Sequence, residues 1–175
     1  NKENCSLDSC TDEPNYETNS YHSGDIDEIT LIEYAAFFGS TQIFKYLYKN
    51  KVKLTDCLWN YAIHGDDSEI ISILKEENIQ PPNNSHEICI KECIKCHHDH
   101  IVNYIIRNLM NEKYELNENI DFENNYIGNI VSYCFQYYNF AFFPKELNNI
   151  YIFCYAYQYD YIEIVKYLMN IKEIN

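Results

Sequence analysis

The segment Thr30-Leu-Ile-Glu-Tyr-Ala-Ala-Phe-Phe-Gly39 runs directly into Ser40-Thr-Gln-Ile-Phe-Lys-Tyr-Leu-Tyr48. Its apolar residues recur at helical rather than strand spacing. With Ala35 as an anchor, Ile32 lies three residues before it and the turn residue Gly39 four after it. Ile43, Phe44 and Leu47 follow at eight, nine and twelve. Ala62 repeats this frame with Trp59, Asp66, Ile70, Ile71 and Leu74. Cys93 repeats it with Ile90, His97, Ile101, Val102 and Ile105, and Ala156 with Phe153, Asp160, Ile164, Val165 and Leu168. A weaker copy centres on Cys134, with Val131, Tyr138, Phe142 and Phe143, until Pro144 ends it.

Each copy reads as a short helix, a tight turn and a second, antiparallel helix. The small anchor lets the first helix approach its neighbours. Gly, Asp or His stands where the chain must reverse. The triplet at eight, nine and twelve forms one buried stripe. A single pair of helices cannot bury its apolar faces alone, so the units must stack. The expected fold is all-α, about ten helices in five stacked helix-turn-helix units near residues 29–54, 55–84, 85–110, 126–147 and 149–175. The anchors are 27, 31, 41 and 22 residues apart, so the connections vary while the helix pair persists. Pro81-Pro82-Asn83-Asn84 marks one such loop.

The abrupt change at Ile29 separates this array from residues 1–28. That segment lacks a hydrophobic period and reads as a disordered acidic tail. It holds 8 acidic residues and 1 basic one, half the excess charge of a 175-residue chain whose net charge is −14. Arg107 is the sole arginine. Such a chain lacks the basic footprint that nucleic acid or an anionic membrane requires. Four Gly and four Pro are too few for a turn-rich β fold or a Gly-rich phosphate loop. The longest apolar stretch, roughly Ile150 to Tyr157, is far short of the ~18 residues of a membrane span. Of the eight cysteines, Cys57, Cys93, Cys134 and Cys154 fall inside apolar helical patterns. Reduced, buried thiols in an intracellular, cytoplasmic protein are therefore expected.

The frame resembles the ankyrin repeat, whose pattern is T-P-L-H-x-A-A-x-x-G followed by x-x-x-I-V-x-x-L-L. Thr30 to Gly39 matches at the Thr, an apolar position, both Ala and the Gly. Glu163-Ile-Val-Lys166 is similar to the second half. Leu31 to Ser40, Leu58-Trp-Asn-Tyr-Ala-Ile-His-Gly65 and Ile94-Lys-Cys-His-His98 resemble, more narrowly, a divergent ankyrin-type family expanded in trichomonad parasites. Leu31 and Glu33 stand where the motif has Pro and His, the His being a residue that ties neighbouring units. The resemblance implies an ankyrin-like solenoid over residues 29–175 and a non-catalytic protein–protein interaction scaffold.

Carried over by motif position, the partner-facing candidates are Thr55, Asp56, Leu58, Asp66 and Asp67 in the second unit. In the third they are His86, Glu87, Cys89, His97 and His98, and in the last Asn149, Ile150, Asp160 and Tyr161. The acidic surface makes a partner with a basic segment the natural complement. The alternative is a small zinc protein using Cys93, Cys96, His97 and His100, because Cys93-Ile-Lys-Cys96-His97 offers thiols and imidazoles at spacings zinc accepts. In the repeat frame, however, Cys93 is the buried anchor and His97 the turn, so no metal, haem or other cofactor is assigned and no catalytic residue is expected. His64-Gly65-Asp66-Asp67 lacks the remaining ligands of a calcium loop and reads as an inter-helix turn. The last unit reads as an internal one without a polar cap, and the chain opens on Asn1. The expectation is a fragment of a longer repeat protein, or a terminal face that docks to something.

Overall fold

The structure, a computed structural model, describes residues 6–9, 29–109, 125–143 and 149–170. The expected acidic tail, apart from 6–9, lies outside the described residues, and so do residues 144–148 of the fourth unit; Phe142 and Phe143, expected in that unit's second helix, stand in a turn, because residues 139–143 are not helical. Nine α-helices and no β-strand occur among the described residues: α1 (Leu31–Phe37), α2 (Thr41–Lys49), α3 (Leu58–His64), α4 (Ser68–Glu76), α5 (His86–Cys96), α6 (Asp99–Asn108), α7 (Asn125–Gln136), α8 (Asn149–Gln158) and α9 (Ile162–Asn170). The protein is all-α. None of these helices is long and apolar enough to cross a membrane.

The turns explain the repeat frame. Four residues after each anchor the backbone enters the left-handed region: Gly39 (φ 59°), Asp66 (55°), His97 (60°), Tyr138 (56°) and Asp160 (59°). The next N–H donates back to the anchor carbonyl in every case: Ser40 to Ala35 (2.8 Å), Asp67 to Ala62 (3.2 Å), His98 to Cys93 (3.0 Å), Asn139 to Cys134 (3.1 Å) and Tyr161 to Ala156 (2.8 Å). This is the Schellman closure, which satisfies carbonyls a helix end would otherwise orphan. The frame therefore repeats a backbone device. A left-handed residue costs a non-glycine side chain about 1–2 kcal/mol, and four of the five positions bear that cost. The second helices of the first two units close the same way. Val52 N–H reaches Leu47 O at 3.3 Å across Lys51 (φ 67°), and Ile79 N–H reaches Leu74 O at 2.9 Å across Asn78 (φ 56°).

The sequence frame treats 29–175 as one array. By packing, the chain divides into two compact units between Cys89 and Ile90, inside α5. In the first unit α1 packs on α3 and on α2, and α3 and α2 pack on α4. Ile32, Ala36, Phe44, Leu58, Trp59, Ala62, Ile63, Ile70, Ile71 and Leu74 form the core. Trp59 is a core residue whose indole N–H donates to Ile79 O at 2.8 Å. Ile43 corrects the expected stripe. It is 57% exposed, because Phe44 and Leu47 take the buried side of α2 and a one-residue step turns Ile43 off it.

In the second unit α7 packs on α8 and α8 on α9. Val131, Phe135 and Ala156 are buried at its centre beneath Phe143, Tyr155, Tyr159, Tyr161 and Val165. Phe135 organises the aromatic packing, lying parallel to Tyr159 (6.4 Å, 5°) and edge-on to Tyr161 (5.1 Å, 82°). Cys93 and Cys134 are buried as expected, and Cys89 with them, whereas Cys57 and Cys154 are exposed. Cys57 precedes α3 at its N-cap, outside the apolar stripe. Cys154 sits two residues before Ala156, on nearly the opposite side of α8.

Candidate functional site

The most chemically distinct surface of the first unit is aromatic and lies on α1 and α3. Phe37 stacks on the His64 imidazole (5.2 Å, 26°), meets Tyr61 edge-on (6.3 Å, 74°) and Phe38 edge-on (5.1 Å, 82°). Tyr34 tilts against Phe38 at 5.1 Å. Tyr61 is buried, Tyr34, Phe37 and His64 are half-buried, and Phe38 stands 58% exposed. Stacked rings hold one another in place, so Phe38 is presented on a rigid base at little cost in conformational entropy. The carriers α1 and α3 approach closely because Ala36 and Gly65 are small. A Cβ on Gly65 would lie 2.1 Å from Ala36 O.

Below this face sits a polar tie. Glu33 and Thr30 form a reciprocal capping box at the start of α1. Glu33 Oε2 accepts from the Thr30 backbone N–H (2.9 Å) and hydroxyl (2.7 Å), and its Oε1 accepts from Thr55 Oγ1 at 2.6 Å. This carboxylate links α1 to the segment leading into α3. Burial, then the nearby Glu33 carboxylate and Cys57, push the Tyr61 hydroxyl up to about 12. Burial chiefly, with Asp56 and Glu33, raises the Cys57 thiol above its usual range.

The candidates from motif position separate into exposed and structural residues. In the first unit Asp56 and Asp66 are exposed, Asp66 at the tip of a turn. Thr55 is engaged by Glu33. Leu58 and Cys89 are corrections: both are fully buried, because their helices turn these positions inward. Asp67 is also structural. Its Oδ1 caps α4 by accepting from Glu69 N–H (2.9 Å) and Ile70 N–H (3.0 Å), and its other oxygen accepts from the Thr41 hydroxyl. His86 is half-buried with its ring edge-on to Trp59 (6.1 Å, 82°), and Glu87 is half-buried in the first turn of α5.

In the second unit His97 and Asp160 are exposed turn residues, and His98 precedes α6 with its ring 6.5 Å from that of His100. Ile150 is exposed, while the Asn149 side chain lies outside the described residues. Tyr161 is committed inward: its hydroxyl donates to Phe135 O at 2.8 Å. Asn139, at the equivalent position after its turn, is buried and donates from Nδ2 to Ile94 O (3.0 Å) and Asp99 Oδ1 (3.1 Å). The residue after the left-handed turn thus ties back to the preceding repeat through Asp67, Asn139 and Tyr161. No three of Cys93, Cys96, His97 and His100 bring ligand atoms within 4.8 Å of one another. The helix aims Cys93 into the core, whereas His97 and His100 are exposed.

Motif carry-over missed Tyr34, Phe37, Phe38, Tyr61 and His64. A signal was present, since Tyr34 and Tyr61, and likewise Phe37 and His64, are ring-bearing residues 27 apart, the spacing of the first two anchors. No family model, curated protein or solved structure matches this chain.

Proposed function

We propose that this protein is an ankyrin-like, non-catalytic recognition scaffold that binds a protein segment carrying basic and apolar side chains, in a compartment that keeps its thiols reduced. The observation that carries this reading is Phe38, an exposed ring braced by Tyr34 and by Phe37, which itself stacks on His64, on closely packed helices. Aromatic anchors of this kind are enriched at protein interfaces. The solenoid part of the reading is supported by five turns that share one left-handed position and one Schellman bond. The basic preference follows from the net charge of −14 and from the exposed Asp56 and Asp66 on the unit that carries the face.

The test is selection of a random peptide library on the full chain. Enriched sequences should combine Arg or Lys with apolar residues, and their affinity should fall as salt rises. Phe38→Ala should weaken the best peptide about tenfold or more, about 1.4 kcal/mol, without changing the unfolding midpoint. Absence of enrichment, or binding indifferent to Phe38→Ala, would overturn the reading.

A further inference from the structure

Side-chain ties at the turns set the repeats of the second unit in register. Asn139, five residues after its anchor, donates to Ile94 O, one residue after the preceding anchor, at 3.0 Å. Tyr161, five after its own anchor, donates to Phe135 O, again one after the preceding anchor, at 2.8 Å. Each tie follows directly on a left-handed residue, so Tyr138 and Asp160 stand at equivalent tips of adjoining repeats, both exposed. Tyr138 is 73% exposed and leans toward the next repeat, its ring 5.6 Å from that of Tyr161 at 44°. Phe140, 41% exposed, meets the Tyr161 ring edge-on at 5.8 Å. Asp160 directly precedes Tyr161, so a carboxylate and three rings share one edge of this unit.

Charge identifies the guest. Residues 125–143 carry no charged side chain, and 149–170 carry Asp160, Glu163 and Lys166. Glu163 and Lys166 pair with each other at 2.8 Å. The Asp160 carboxylate has no hydrogen bond or ion pair among the described residues. Aromatic faces are negative, and beside a formal negative charge they are complementary to a cation. The flat guanidinium of arginine fits both features. It stacks on a ring, and its fork of N–H groups engages a carboxylate through two parallel bonds, whereas a lysine ammonium is a strongly hydrated point charge. The first unit builds the same pair. A Cβ on Gly39 would fall 2.6 Å from Gly65 O, so two turns touch there, and the exposed Phe38 ring of one adjoins the exposed Asp66 of the other.

We propose that Tyr138, Phe140 and Asp160 form an arginine-docking site on the second unit: a guanidinium from a partner protein stacks on Tyr138, borders Phe140 and donates to the Asp160 carboxylate. The site does not rest on the reading given for Phe38, which lies on the other compact unit.

Titration of the full, isotope-labelled chain with N-acetyl-arginine amide at physiological salt, followed through backbone amide shifts, tests this. Carried out in Phe38→Ala, it reads the second unit with the first unit's exposed ring removed. Shifts should saturate at Tyr138, Asn139, Phe140, Asp160 and Tyr161. The lysine analogue should bind at least about threefold more weakly, and the citrulline analogue, which keeps the shape but not the charge, should not saturate. Tyr138→Asn and Asp160→Asn should each weaken arginine binding about threefold or more. Both should keep the parent's unfolding midpoint, because the two side chains are exposed and Asn adopts the left-handed conformation readily. Absence of saturable shifts at these residues overturns the proposal. So does equal binding of the lysine or citrulline analogue, or binding that survives both substitutions. None of these results bears on Phe38, whose peptide binding is read separately.

Discussion

Thr55 donates its hydroxyl hydrogen to Glu33 Oε1 at 2.6 Å, while the other oxygen of the same carboxylate accepts from the Thr30 backbone N–H at 2.9 Å. One buried side chain therefore starts α1 and holds the approach to α3. A cap is worth about 1 kcal/mol and a hydrogen bond to a charged acceptor about 1.5–3 kcal/mol. Glu33→Ala should lower unfolding free energy by about 2–4 kcal/mol in urea titration, on those scales. Glu33→Gln keeps one acceptor and should lose less. Equal losses for the two variants would show that the carboxylate pair is not the source of the stability.

Gly65 faces a steric rather than a conformational demand. Its φ is −71°, accessible to any residue, yet an added Cβ would sit 2.1 Å from Ala36 O and 2.8 Å from Gly39 N. These are backbone atoms and cannot swing aside. Gly65→Ala should cost about 1–3 kcal/mol by overpacking, in spite of the higher helix propensity of Ala. A variant as stable as the parent would mean that α1 and α3 separate without penalty.

His86 sets a pH dependence. Burial against Trp59 holds its pKa below the usual 6.5, so the folded state disfavours the imidazolium. The unfolded chain binds a proton near pH 6.5 that the folded chain takes up only at lower pH. Stability contributed by this residue is therefore intact above 6.5, declines as pH falls through 6.5, and levels off below the folded pKa. Comparing unfolding midpoints at pH 7.5 and 5.5 for the parent and His86→Gln isolates the effect. The variant should lose less on acidification.

The thiols should divide by burial. Cys134 is buried with its pKa pushed up to about 12, by desolvation first and Asp99 second, so almost no thiolate exists at neutral pH. It should resist iodoacetamide until the chain unfolds. Cys57, exposed but with a raised pKa, should react in the native state more slowly than an ordinary thiol. Peptide mapping after timed alkylation reads both. Native labelling of Cys134 at the rate of Cys57 would contradict its placement in the core.

Much of the local structure was legible in the residues. The anchors, the turn positions and the second-helix stripes at 70/71/74 and 101/102/105 stand where the frame puts them, because helical period and left-handed turns are set by neighbours within about five residues. The same frame misplaced Ile43, Cys57 and Cys154, which differ from buried neighbours by one or two steps around a helix. The polar candidates were harder still. Asp67 and Tyr161 read as surface residues, and each is held by an atom 26 residues away, Thr41 Oγ1 and Phe135 O.

The sequence by itself determined that this chain is helical, where its helices reverse, and that its net charge is −14. Those properties follow from periodicity, local backbone closure and summed charge. Only the tertiary structure decided that Glu33 serves as an inter-repeat tie, that Asp67, Asn139 and Tyr161 bind backward, and that Phe38 and Tyr138 are left exposed. A hydrogen bond or a covered ring depends on what a distant segment brings within about 3–4 Å, and one chain position carries no record of that until the helices have packed.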